Sequence, residues 1–188
     1  MATPTSLPAS FTSGQVLTAA QMNDLRGAFR ILQVVSTTKT DTFTASIAAG
    51  GEAAITGLSA TITPSSTASK ILVFANVHGA ETSGNYASLQ VRLYRGATEI
   101  GSGATAGNRP TVFSANVGNA DAYVHHITAL GNHYLDSPAT TSATTYSLYV
   151  VNARGSTIGY CVNRTSDDSD AVNNNRTSSS ITVMEVSA

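Results

Sequence analysis

Ala87-Ser88-Leu89-Gln90-Val91-Arg92-Leu93-Tyr94 decides the fold. An extended chain points successive side chains to opposite sides, so Ala87, Leu89, Val91 and Leu93 share one face while Ser88, Gln90, Arg92 and Tyr94 share the other. That is the period of a strand with one face on a core and the other in water. Arg95-Gly96-Ala97-Thr98 follows with turn residues, so a hairpin partner strand is expected over 99–102.

Outward from this stretch the same period recurs. Leu58, Ala60 and Ile62 alternate with Ser59, Thr61 and Thr63 until Pro64, which has no amide hydrogen to give a ladder, ends the run. After the turn Pro64-Ser65-Ser66-Thr67 a strand is expected over 71–78. Tyr146, Leu148 and Val150 alternate with Ser147, Tyr149 and Val151, and Ile158, Tyr160 and Val162 repeat the pattern. Further strands are expected over 31–36, an apolar run read as buried, and over 42–45, 123–130, 133–135 and 181–186. A break at Gly131-Asn132 separates the segments 123–130 and 133–135. Residues 103–121 and 163–180 read as exposed polar loops. The sum is about nine or ten short antiparallel strands with no interleaved helices. Parallel units would need crossover helices, so the fold class is all-β, a sandwich. Its first and last strands (31–35 and 181–186) are both apolar. A jelly roll sets those two side by side, so neither has an edge to blunt with charge.

Composition agrees. Only 11% of the 188 residues are charged, against about 25% in an ordinary domain. Serine (23) and threonine (26) fill the gap, and β-branched threonine suits a pleated surface. The net charge is −1 and the only lysines are Lys39 and Lys70, so no cationic cluster exists to displace counterions from phosphate; no nucleic acid is expected as partner. No apolar run reaches the roughly 20 residues that span a bilayer. The first residues carry no basic stretch followed by an apolar one, so no secretory signal is read and a soluble chain made in the cytoplasm is expected. The single Cys161 excludes an intrachain disulfide and a multi-cysteine zinc site.

Residues 1–30 read as an arm set apart from a knob over 31–188. The arm is polar at first, then carries a helix signal: Thr18-Ala19-Ala20-Gln21 fits a capping box, with Leu17 and Met22 at the flanking apolar positions. Met22, Leu25 and Phe29 form one stripe. So short a helix is marginal alone and must dock, either on the end of its own domain or on a partner.

Candidate chemistry is sparse. His125 and His126 point to opposite faces of a strand and cannot chelate one ion together, although His126 could join His78 or His133 across strands. The acidic Asp167, Asp168 and Asp170 lack the spacing and glycine of a calcium loop and read as a solvated loop. Cys161 reads as a small buried hydrophobe. Asn163-Arg164-Thr165 and Asn175-Arg176-Thr177 match the glycosylation acceptor pattern, a chance match in an Asn- and Thr-rich loop. Tyr86, Tyr123 and Tyr134 near loops could stack on a sugar. No nucleophile elbow, phosphate loop or carboxylate pair is present. The expectation is therefore no enzyme, no cofactor and no metal.

Two stretches carry a family resemblance. Phe11-Thr12-Ser13-Gly14-Gln15-Val16-Leu17-Thr18-Ala19-Ala20-Gln21-Met22-Asn23 resembles an N-terminal motif of phage tail-fibre and other virion proteins, where it lies at the particle-proximal end. Ile55-Thr56-Gly57-Leu58, Ile62-Thr63-Pro64-Ser65-Ser66 and Ser69-Lys70-Ile71-Leu72-Val73 resemble small structural proteins of marine and freshwater phages. The strand plan is similar to the trimeric jelly roll of complement heads and tumour necrosis factor, and the segment 89–100 looks like its strand–Arg-Gly–strand hairpin. These resemblances cover about half the chain. They imply a bacteriophage virion protein, made in the bacterial host, whose jelly-roll knob forms a homotrimer. Its other partners would be virion proteins, either the major capsid protein or tail and portal components. The missing repetitive shaft favours capsid decoration or a short head fibre over the alternative, a tail-fibre or tail-tip adhesin recognising host glycan. A signalling ligand of the same class is disfavoured by the missing secretion signal. Phe11, Leu17, Met22, Leu25 and Phe29 are the expected particle-anchoring residues, each contributing roughly 1.5–3 kcal/mol when removed from water.

Overall fold

The alternating stretch 87–94 lies within strand β5 (Tyr86–Arg95), with Leu89, Val91 and Leu93 buried and Gln90, Arg92 and Tyr94 turned outward. The computed structural model describes residues 13–19, 21–22, 31–82, 86–119 and 125–187. Among them are eleven strands: β1 (Ile31–Lys39), β2 (Phe43–Ile47), β3 (Glu52–Ile62), β4 (Lys70–Glu81), β5, β6 (Thr98–Ile100), β7 (Ser114–Asn119), β8 (Thr128–Asp136), β9 (Thr144–Val151), β10 (Ile158–Val162) and β11 (Ser179–Val186). Every pairing is antiparallel, in one six-stranded and one five-stranded sheet.

The register reduces eleven strands to eight lanes. Gly79 of β4 pairs with both Thr128 and Val162, and Ile71 with both Asp136 and Glu185, so β10 and β11 lie on the same side of β4, opposite β8. They form one lane, broken by the excursion 163–178. On its far side β1 pairs with β11 and β2 with β10, a second broken lane. In the other sheet β6 and β7 share the side of β5 opposite β9. The lane orders β1/β2–β11/β10–β4–β8 and β3–β9–β5–β6/β7 make an all-β jelly-roll sandwich. The first and last strands are neighbours, as expected from their apolar character.

The core lies between the sheets. Ile71, Val73, Val77, Ile181 and Val183 face Leu58, Ile62, Leu89, Leu93, Leu148 and Tyr146, all essentially inaccessible. Burying each aliphatic side chain stabilises the fold by roughly 1.5–3 kcal/mol. The β5–β6 hairpin closes through Gly96, whose positive φ of 56° suits a residue without Cβ, with Arg95 opposite Thr98. At Gly79 a Cβ would run into the Cys161 carbonyl, so only glycine lets β10 come this close.

Five expectations need correction. The strand expected over 123–130 begins only at Thr128, with 125–127 outside any strand. Strand β1 is not buried: it is a sheet edge, and Ile31, Leu32 and Val34 are exposed. Residues 103–121 are not all loop, because Ser114–Asn119 forms β7 against β5; pairing overrides the low strand propensity of Ala, Asn and Gly. Gly131-Asn132 is no break, because β8 runs through it opposite Asn76 and Ala75. The second loop ends two residues early, since β11 begins at Ser179.

Candidate functional site

Of the expected anchoring residues, Phe11, Leu25 and Phe29 lie outside the described residues, and Leu17 and Met22 within them. The capping box forms. The Thr18 amide donates to Gln21 Oε1 (3.0 Å), the Gln21 amide donates to Thr18 Oγ1 (3.2 Å), and the Met22 amide donates to the Thr18 carbonyl (3.0 Å), which closes one helical turn. On that turn Leu17 is 41% and Met22 47% exposed, and the neighbouring Val16 is exposed as well.

The sandwich has two unlike outer faces. Outside the five-stranded sheet, Arg92 Nη1 donates to Glu52 (2.8 Å), its Nε lies 3.3 Å from Glu99, and Tyr94 Oη donates to Glu52 (2.7 Å). The Tyr94 and Tyr149 rings stack at 4.5 Å. Burial, with the Glu52 hydrogen bond, pushes the Tyr94 hydroxyl up to about 12. That face is built for water. Outside the six-stranded sheet the register instead lines up Val34, Met184, Leu72 and Leu135 in one row across four lanes, and Ser36, Thr182, Phe74 and His133 in the next. Val34 is 54%, Phe74 43% and Leu135 52% exposed. These two rows contain no aspartate, glutamate, lysine or arginine.

The far end of this face is covered by the excursion 163–178. Cys161, on the outward side of β10, is fully buried, with its Sγ 3.4 Å from the Arg164 carbonyl and 3.5 Å from the Thr165 carbonyl. Burial raises its thiol, leaving it a packed hydrophobe and not a nucleophile. The excursion is tightly built. Asp167 accepts from the Ser169 side chain and amide and from Asn174, which holds its carboxyl at about 2, and Asp168 bridges Arg164 and Arg176. The Asp167 and Asp168 carboxylates thus serve the loop's own hydrogen bonds and ion pairs.

Sequence reasoning missed the clips beneath. Asn163, read only as a chance acceptor site, is fully buried at φ 64°: its Nδ2 donates to the Lys39 and Asp41 carbonyls (both 2.9 Å), and its Oδ1 accepts from Ser179 Oγ (2.6 Å). It ties together the two broken lanes where each is interrupted. Asn152, equally buried, donates to the carbonyls of Ile47, Ala48 and Ser156. Carboxylates do similar work. Glu185 accepts from the Ser65 amide and hydroxyl and from Gln33, and Asp136 accepts from Arg95 and Tyr146.

The histidines do not converge. His78 Nδ1 meets the Ser178 carbonyl, His125 Nδ1 meets Asn174 Oδ1, and His133 lies 6.0 Å from the Phe74 ring. Among the described residues no three His, Cys, Asp or Glu side chains gather as a metal site. Tyr134 packs partly buried against the core; Tyr123 and the side chain of Tyr86 lie outside the described residues. Among those residues no helix is long and apolar enough to cross a membrane.

No protein-family profile matches the chain, and no curated protein matches it. Among solved structures, it is similar to a chain in the structure of infectious bursal disease virus, Gt strain, at 13% identity and a TM-score of 0.41, covering 82% of this chain and 42% of that one. It is also similar to Eiger TNF from S. frugiperda, at 6% identity and a TM-score of 0.36, covering 77% of this chain and 98% of that one. The chain thus spans less than half the length of the first of these.

Proposed function

We propose that this chain is a structural protein of a bacteriophage virion: a jelly-roll knob over 31–188, forming a homotrimer and held to the particle by the arm over 1–30. The observation that carries this reading is the capped turn Thr18–Met22. Its capping hydrogen bonds are formed, yet Leu17 and Met22 remain exposed, as suits a segment preorganised to bury them elsewhere. Residues 11–23 resemble the particle-proximal motif of virion proteins, which supports the particle as that partner. Three arms on one trimer would multiply attachment through effective concentration. Within this reading we place the knob on the capsid surface, as decoration or short head fibre, with a tail-tip adhesin as the alternative. The role is architectural and not catalytic: the buried polar groups described above tie loops to strands rather than converge on a cleft.

Deletion of residues 1–30 tests this. The truncated knob is expected to keep its strand circular dichroism and its oligomeric mass, and to lose incorporation into particles. Incorporation at the level of the full chain overturns the anchoring role.

A further inference from the structure

We infer that the exposed face of the six-stranded sheet, whose two central rows carry no charge, is where a second copy of this chain packs. This deepens the reading above, since it rests on the knob being oligomeric and says which surface joins the copies. Four segments distant in sequence supply Val34, Leu72, Phe74, Leu135 and Met184, and only the strand register brings them together. A sheet face meant for water carries charge on its outward positions, as the opposite face does with Arg92, Glu52 and Glu99. Leaving Val34, Phe74 and Leu135 each 43% or more exposed costs free energy unless something covers them.

Size and charge indicate a copy as the occupant. Four lanes over the length of β4 from Lys70 to His78 make a face of about 600 Å². That whole face, with Lys70 at its margin, approaches the roughly 800 Å² per partner of a stable interface. A small ligand would leave most of it wet. In a trimer this face meets a different patch of the neighbouring copy, and any charge on it would be desolvated there, so a self-association surface avoids unpaired charges. The two central rows do, with His133 their only titratable group. The excursion 163–178 closes one end of the face and confines the partner to the open rows.

The test is the solution mass of the full chain at micromolar concentration, by sedimentation equilibrium. The wild type is expected as a multimer. Phe74→Arg with Leu135→Arg buries unpaired charges in the interface, which weakens association by more than about 100-fold. Both side chains point outward, so the strand circular dichroism should persist while the mass falls to one chain. The single Leu135→Glu change gives a milder second readout should the double variant misfold. Glu52→Gln, on the opposite face, should keep the multimer. A single-chain wild type overturns the inference, as does a folded Leu135→Glu or double variant of unchanged mass. The mass is read without particles: a multimer that never enters particles leaves this interface standing and sinks the virion reading. A monomeric wild type that still enters particles does the reverse.

Discussion

The amide of Asn163 donates to two carbonyls on a segment more than a hundred residues away and accepts from the hydroxyl of Ser179. Asn163→Ala removes the side-chain donor to the Lys39 and Asp41 carbonyls, the first of these bonds being buried. It is expected to cost about 2–4 kcal/mol in urea unfolding, without loss of the strand circular dichroism. Asn163→Asp keeps the shape but points a carboxylate at the same two oxygens. Its loss at neutral pH should exceed that of the alanine variant. Its gap to wild type should narrow as pH falls into the carboxyl range and the new acid becomes able to donate. A gap that does not change with pH would show that shape, and not donation, is what Asn163 provides. Nothing in Asn-Arg-Thr announces this role. The residue's value comes from partners at 39, 41 and 179, which no local reading of the sequence connects.

At the scale of the element, Glu185 in β11 is linked to Gln33 in β1 and to the turn after β3 through Ser65. Burial alone would raise its carboxyl, but the hydrogen bonds from Ser65, Gln33 and Ser69 outweigh it and hold it at about 2, below the usual 4.5. A depressed carboxyl adds stability that is present above its unfolded value and lost as pH falls from there through the folded one. The wild type should therefore shed about 3 kcal/mol between pH 4.5 and 2 from this group. Glu185→Gln should be less stable at pH 7 and should flatten that part of the acid profile; an unchanged profile would rule the link out. Elements also differ in how much of them the sequence shows. The β5–β6 hairpin is legible because alternation and turn chemistry agree over Leu89–Leu93 and Arg95–Thr98. Strand β7 is invisible because Ser-Ala-Asn-Val-Gly-Asn has no alternating apolar set and exists only by pairing with β5. The apolar run that opens β1 says strand correctly but buried wrongly, since its exposed residues belong to an outer face.

For the whole molecule, an all-β sandwich with first and last strands side by side follows from a pattern the sequence displays, whereas the eight lanes appear only in the register. The candidate sites follow less directly. On the arm, the capping box of Thr18 and Gln21 is readable because its signal is local; Leu25 and Phe29 lie outside the described residues. The uncharged rows are not readable, because Val34, Leu72, Leu135 and Met184 become neighbours only through register; the low charge of the whole chain is their one trace. On the virion reading proposed above, the position of the knob is a question of symmetry, and quantitative gels of purified virions test it. Capsid decoration predicts on the order of hundreds of copies per particle, and a tail or fibre position far fewer.

The interruption between β10 and β11 has a practical corollary. The chain leaves its lane at Asn163 and re-enters at Ser179, one hydrogen bond away. A guest peptide spliced there would start and finish at a fixed gate, so lengthening it would penalise folding only logarithmically. The gate makes this scaffold a natural place to graft foreign epitopes, provided the guest keeps a small cap over the thiol below it.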